Sequence, residues 1–245
     1  MKELAYHFKC LQVIIILCLL CSTSVAQKRL VTEPLLSSTQ LQTLGKQLKS
    51  HIIEVQRTGY AAKGYHFPQD RIDVGRGVLI TEHLILTSAH WLDLRTDEST
   101  FSIEVKCLGH INMIKAEVIE ISKKEGWVIL NSSSSLSCQP APTMSNMTNA
   151  SFYIGKNLYF YEAYPHLPAK LTMSGIAPSP MQFYWLLTGR VFNGSPLFDH
   201  KGRLVTVAVM ADIRTQDVNL YSLVLPSKSI GSALNKIRAH EHLIK

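Results

Sequence analysis

The sequence predicts an all-β fold built as two six-stranded β-barrels with a C-terminal helix. Three observations carry the prediction. Short runs rich in Val, Ile, Leu and Tyr alternate with turn residues, as in sandwiches and barrels. The runs fall into two groups of six, divided by a polar loop over residues 132–145, which suits two small barrels. A helical period appears only near the two ends of the β-rich region.

The elements follow in order. Residues 27–50 form a lead-in, where Leu41, Leu44 and Leu48 recur at the spacing of one short helix. The first group of runs covers 51–56, 77–81, 84–87, 101–108, 113–121 and 127–131. The second covers 158–164, 171–176, 182–187, 196–199, 204–210 and 220–224. Branched and aromatic side chains fit a pleated, half-buried surface, which is why these runs read as strands. Residues 227–240 read as the closing helix, with Ser227 as its cap and Ile230, Leu234 and Ile237 on one face. The expected organisation is a signal peptide over 1–26, the lead-in over 27–50, a first barrel over 51–145, and a second barrel with the helix over 146–245.

The N-terminus predicts secretion. Lys2 and Lys9 precede an apolar stretch over 11–21, and Ser24 and Ala26 are small residues at the −3 and −1 positions of a cleavage site after Ala26. The stretch is shorter than the roughly 20 residues of a membrane span. No other segment is long and apolar enough, so no membrane span is expected after cleavage; an uncleaved anchor is the alternative. Removal of Cys10, Cys18 and Cys21 with the signal leaves Cys107 and Cys138. An even pair in an oxidising compartment points to one disulfide, with two buried free thiols as the alternative. Asn131, Asn146 and Asn149 head glycosylation sequons in a stretch rich in Ser, Asn, Thr and Pro, which reads as exposed loop. Asn193 also heads a sequon, but Pro196 follows closely and burial is expected there.

Composition bounds the partners. A chain of 245 residues that is 46% hydrophobic can bury one large core or two small ones. The formal charge of +7 comes with no basic run interleaved with aromatics, so no nucleic-acid partner is expected. No His/Cys/Asp/Glu cluster has metal-ligand spacing, so neither metal nor cofactor is expected; His240 and His242 read as a solvated tail.

Three motifs carry chemistry. In "GRGVLITEHLILTSAHWLD" (75–93), two apolar strands deliver His90 at a strand end, where a general base can be held rigidly. In "GRVFNGSPLFDHKGRLVTVAV" (189–209), a tight loop precedes Pro196, Leu197 and Phe198 and a further strand. In "AEVIEISKKEGWVIL" (116–130), a turn joins two strands. Taken in order, these segments resemble the trypsin-like (chymotrypsin-fold) serine proteases of the HtrA/Deg type. Segments 154–165, 171–180 and 220–234 extend the likeness to about residues 51–240.

The resemblance implies a general base at His90 and shows what has been replaced. The nucleophile position, three residues before the proline, falls on Asn193, whose amide cannot serve as an alkoxide. The aspartate position falls on Gly126, leaving nothing to fix the imidazole tautomer; Glu125 faces the other way along an extended segment. The oxyanion glycine position falls on Val191. Losing one oxyanion donor costs roughly 10²–10³ in rate and losing the nucleophile about 10⁶. Ser195 lies two residues past the nucleophile position, roughly 6–7 Å along an extended chain, too far for attack geometry.

The expectation is therefore a secreted, inactive protease homologue that binds a protein or peptide partner. Its partner would add beside an edge lined by Val207, Val209 and Met210. The alternatives are an active serine-type endopeptidase with atypical residues, and a structural or carrier protein on a protease fold.

Overall fold

The computed structural model describes residues 36–62, 71–92, 98–143, 157–162, 170–178, 185–188, 191–214 and 220–244. The expected signal peptide, Met1–Ala26, and the sequons at Asn146 and Asn149 lie outside them.

Helix α1 (Ser38–Lys49) starts at a capping box. The Gln40 N–H donates to Ser37 Oγ and the Ser37 N–H to Gln40 Oε1, so two otherwise unpaired donors are satisfied. Leu44 and Leu48 are buried, and Leu41 packs against the same core.

Six antiparallel strands follow: β1 (Ile52–Ala61), β2 (Arg71–Leu79), β3 (Leu84–Ser88), β4 (Glu98–Cys107), β5 (Ile114–Ser122) and β6 (Trp127–Ser132). They close a barrel in the order β1-β2-β3-β6-β5-β4. Every expected run of this group is a strand. β1 continues past its expected end at Gln56 because Arg57 enters the barrel instead of solvent. Its guanidinium meets the Glu98 carboxylate, with Nη1 3.0 Å from Oε1 and Nη2 bonded to Oε2, and both side chains are fully buried. Arg57 also lies 4.7 Å from the centre of the Phe101 ring. Gly59 makes room for this pair, since a Cβ there would collide with the Glu98 carboxylate.

The second six strands are β7 (Asn157–Glu162), β8 (Lys170–Pro178), β9 (Trp185–Thr188), β10 (Pro196–Phe198), β11 (Leu204–Arg214) and β12 (Leu220–Val224). They pair in the cyclic order β10-β11-β12-β9-β8-β7, carried by two small sheets. β8 and β11 belong to both. β8 pairs β7 over its first residues and β9 over its last, and β11 passes from β10 to β12. Phe198↔Tyr159 is the pair that joins β10 to β7.

β3 and β6 bury both faces, which explains their near-continuous apolar runs. Along β6, Val128 and Leu130 face the barrel interior with Ile53, Val55, Leu79 and Ile85. Trp127 and Ile129 face the opposite way, into a core shared with α1, Phe198, Val207 and the last helix. Leu158, Phe160, Val191, Leu197 and Val205 form a third cluster within the second strand set. That last helix is α2 (Ser227–Ile244), with Ile230, Leu234 and Ile237 buried as expected.

Three local expectations are corrected. Asn131 is not in a loop: it lies in β6, half-buried and flanked by Leu84 and Glu117, because β-pairing on both sides claims its backbone. Ser227 is the first residue of α2 rather than its cap. His240 is no solvated tail, since its Nε2 lies 2.9 Å from Glu120 Oε2 on β5, beside a 2.9 Å Lys236–Glu120 ion pair.

Candidate functional site

The three motifs converge. Ser88 ends β3, and its hydroxyl donates to the Val209 carbonyl of β11 at 3.2 Å while accepting the His90 N–H at 3.3 Å. His90 is exposed just past the strand. The intervening Ala89 donates its N–H to the Gly126 carbonyl at 2.9 Å. The loop after residue 190 is tied to the same place, as the Arg76 N–H donates to the Asn193 carbonyl at 2.8 Å. Thr87 donates its hydroxyl to the Arg76 carbonyl at 2.6 Å, and a Cβ on Gly194 would strike both of those oxygens. His90, Gly126 and Asn193, far apart in sequence, thus belong to one constellation of backbone contacts.

Each of these positions has a local physical reason to be what it is. Gly126 has φ +80°, a left-handed conformation that glycine adopts without steric cost, in the turn between β5 and β6. Glu125 is engaged by the Trp127 indole N–H at 2.8 Å. Val191 is 1% exposed and packs within the second strand set. Gly194, with φ +77°, donates its N–H to the Ala208 carbonyl at 2.8 Å, and Ser195 donates to the Phe192 carbonyl at 3.0 Å. Both of these amides are thereby spent on main-chain acceptors. Ser195 is 1% exposed, and its hydroxyl has no hydrogen-bond partner.

A buried cation stands beside this loop. Arg76 lies 5.1 Å from the Phe192 ring centre, and its Nη1 is buried without a hydrogen-bond partner. Burial holds its guanidinium below the ordinary arginine range, against the attraction of Glu54 and Tyr161. Burial likewise raises the Tyr161 phenol, and Arg76 opposes that shift. The sequence reading missed Arg76 as a buried group, because β2 alternation places it outward and outward means solvent only on a free-standing barrel.

The apolar edge is also corrected. Val207 and Val209 are fully buried in the shared core, because the residues of β11 that face away from its own strand set pack against the first barrel and α2. The side chain of Met210 lies outside the described residues. Cys107 and Cys138 form the expected disulfide, with Cα atoms 5.8 Å apart. Among the described residues no helix is long and apolar enough to cross a membrane.

No known family model matches the chain, and no curated protein matches it by sequence.

Proposed function

We propose that the chain is a secreted serine-protease homologue of the trypsin-like, HtrA/Deg type that does not hydrolyse peptides and acts by binding a protein or peptide partner. On this reading the cyclic order of β7–β12 is the second barrel of that fold. The observation that carries it is the convergence of the His90, Gly126 and Asn193 segments, with chemistry possible at His90 alone. Gly126 offers no carboxylate and Asn193 no alkoxide. The hydroxyl of Ser195 is closed to solvent, which supports non-catalytic use of the loop. The disulfide suits an oxidising compartment, and glycosylation belongs to the same reading, at Asn146 and Asn149 before the half-buried Asn131.

The test is covalent labelling. The secreted chain is treated with a fluorophosphonate probe beside Asn193→Ser and Ser195→Ala variants. No labelling of the native chain is expected. Labelling of the native chain that disappears in Ser195→Ala would overturn the reading in favour of an atypical endopeptidase. Partner binding is checked by pull-down from the extracellular medium: a protein should be retained, whereas a co-purifying small molecule alone would indicate a carrier.

A further inference from the structure

A cavity of about 270 Å³ opens beside the disulfide, where α1 ends against the first barrel. Lys46 and Lys49 reach it from the last turn of the helix, and Ser50 from the helix end. Gly109 and His110 come from the turn after β4, and Ser137 from the loop after β6. No carboxylate lines it.

The charge balance here differs from that of other cations in the fold. Lys106 is paired with Glu54 at 2.9 Å, Arg57 with Glu98, and Arg203 with Asp199 at 2.6 Å. Lys46 and Lys49 have no carboxylate partner among the described residues. One wall of the cavity is tied together covalently. Cys107–Cys138 joins the end of β4 to the loop after β6. Ser137 Oγ sits 3.3 Å from His110 Nδ1 and 3.7 Å from Cys107 Sγ. When Ser137 donates to Nδ1, the neutral ring carries its proton on Nε2 and remains a donor. Gly109 has φ +87°, and a Cβ there would come within 3.0 Å of Lys49 Nζ, so glycine lets the ammonium lie across the turn.

Complementing the C-terminal end of α1 accounts for two lysines in its last turn. It does not account for an imidazole and a hydroxyl from two other segments converging on them, or for the missing carboxylates. Two ammonium groups, an imidazole and hydroxyls around one small, solvent-facing concavity are the donor set for a compact oxyanion.

We propose that this cavity binds a sulfate or phosphate monoester group. The inference is independent of the protease-homologue reading, since no residue of the His90, Gly126 or Asn193 segments lines the cavity. The group has two sources, free in solution or borne on a larger carrier such as a lipid headgroup, and the test separates them.

Binding of the full secreted chain is measured by calorimetry with inorganic sulfate and inorganic phosphate. In parallel, sedimentation follows binding to phosphatidylcholine vesicles with and without phosphatidylinositol phosphate. The Lys46→Gln/Lys49→Gln variant should bind at least about tenfold more weakly, the scale expected for losing two charge-assisted contacts. Lys124→Gln, which removes an exposed charge on the β5–β6 turn, should bind as the native chain does. Saturable binding of the inorganic ions marks a free-anion site. Vesicle binding alone, lost in the double variant, marks a headgroup site. Binding to neither probe, or equal loss in the double variant and Lys124→Gln, overturns the proposal. The His110 ring resonances give a second readout: they should shift on saturation with phosphate, and an unmoved imidazole in a chain that binds phosphate would place the anion elsewhere.

Discussion

At the residue scale, the sharpest constraints come from groups placed where only one residue type fits. Gly194 combines φ +77° with a Cα lying against the Arg76 carbonyl and the Thr87 hydroxyl. Any side chain must both adopt a left-handed conformation and displace backbone. Gly194→Ala should therefore lose at least about 2 kcal/mol, read from urea denaturation. A loss below half a kilocalorie per mole would show that the loop relaxes freely. The Arg57–Glu98 pair is a second such constraint, because removing one partner leaves a charge in the barrel interior. Glu98→Gln should cost about 3–5 kcal/mol, whereas replacing both residues with apolar ones of similar volume should cost less. Denaturation midpoints of the single and double variants check the difference.

At the element scale, α2 is latched to the first barrel by Glu120. The hydrogen bond from Lys236 is the main cause that holds its carboxyl below the ordinary glutamate range, with His240 adding to it. A lowered folded-state pKa makes a contribution that is complete above the ordinary glutamate value and disappears as pH falls through the lowered one. The pair is partly solvated, so the contribution is below about 1 kcal/mol. Glu120→Gln should be slightly less stable than the native chain at neutral pH and equal to it in strong acid, where both carry a neutral group. Chemical denaturation at the two pH values measures this. The disulfide acts on a larger scale. It closes a loop with a sequence separation of 31, so chain entropy sets its contribution at about 3–4 kcal/mol. A Cys107→Ser/Cys138→Ser variant should show that loss, and the native chain should approach it under strong reductant.

At the scale of the whole molecule, the largest core lies between the strand sets. Val78, Leu84, Leu86, Trp127 and Ile129 of the first barrel share it with Phe198, Leu204, Val207 and Val209 of the second set, and both helices cover it. A fragment ending at Thr143 would expose that face to water. It should aggregate or remain loosely packed, with no dispersed methyl signals in NMR, although the barrel's strand order closes within it. A monomeric, well-dispersed spectrum would show that the barrel interior suffices.

The strand sequence, the closing helix and the division into two groups were legible in residues 51–240, because branched side chains and turn residues report local preference directly. α1 was legible too, through Leu41, Leu44 and Leu48. That Gly126 carries no carboxylate and Asn193 no hydroxyl was readable as residue identity alone. The sequence by itself determined which elements form and which reactive groups exist, since both depend on side-chain type and short-range spacing. Burial was decided only by tertiary structure. Arg57 and Arg76 are charges that alternation or polarity places in solvent, and Val207 and Val209 resemble an exposed edge until a second layer packs on it. His240 finds Glu120, and Lys46 and His110 come to line one cavity, only when segments distant in the chain meet. Local preference carries no information about those partners, because the free energy that selects them comes from surfaces removed from water together.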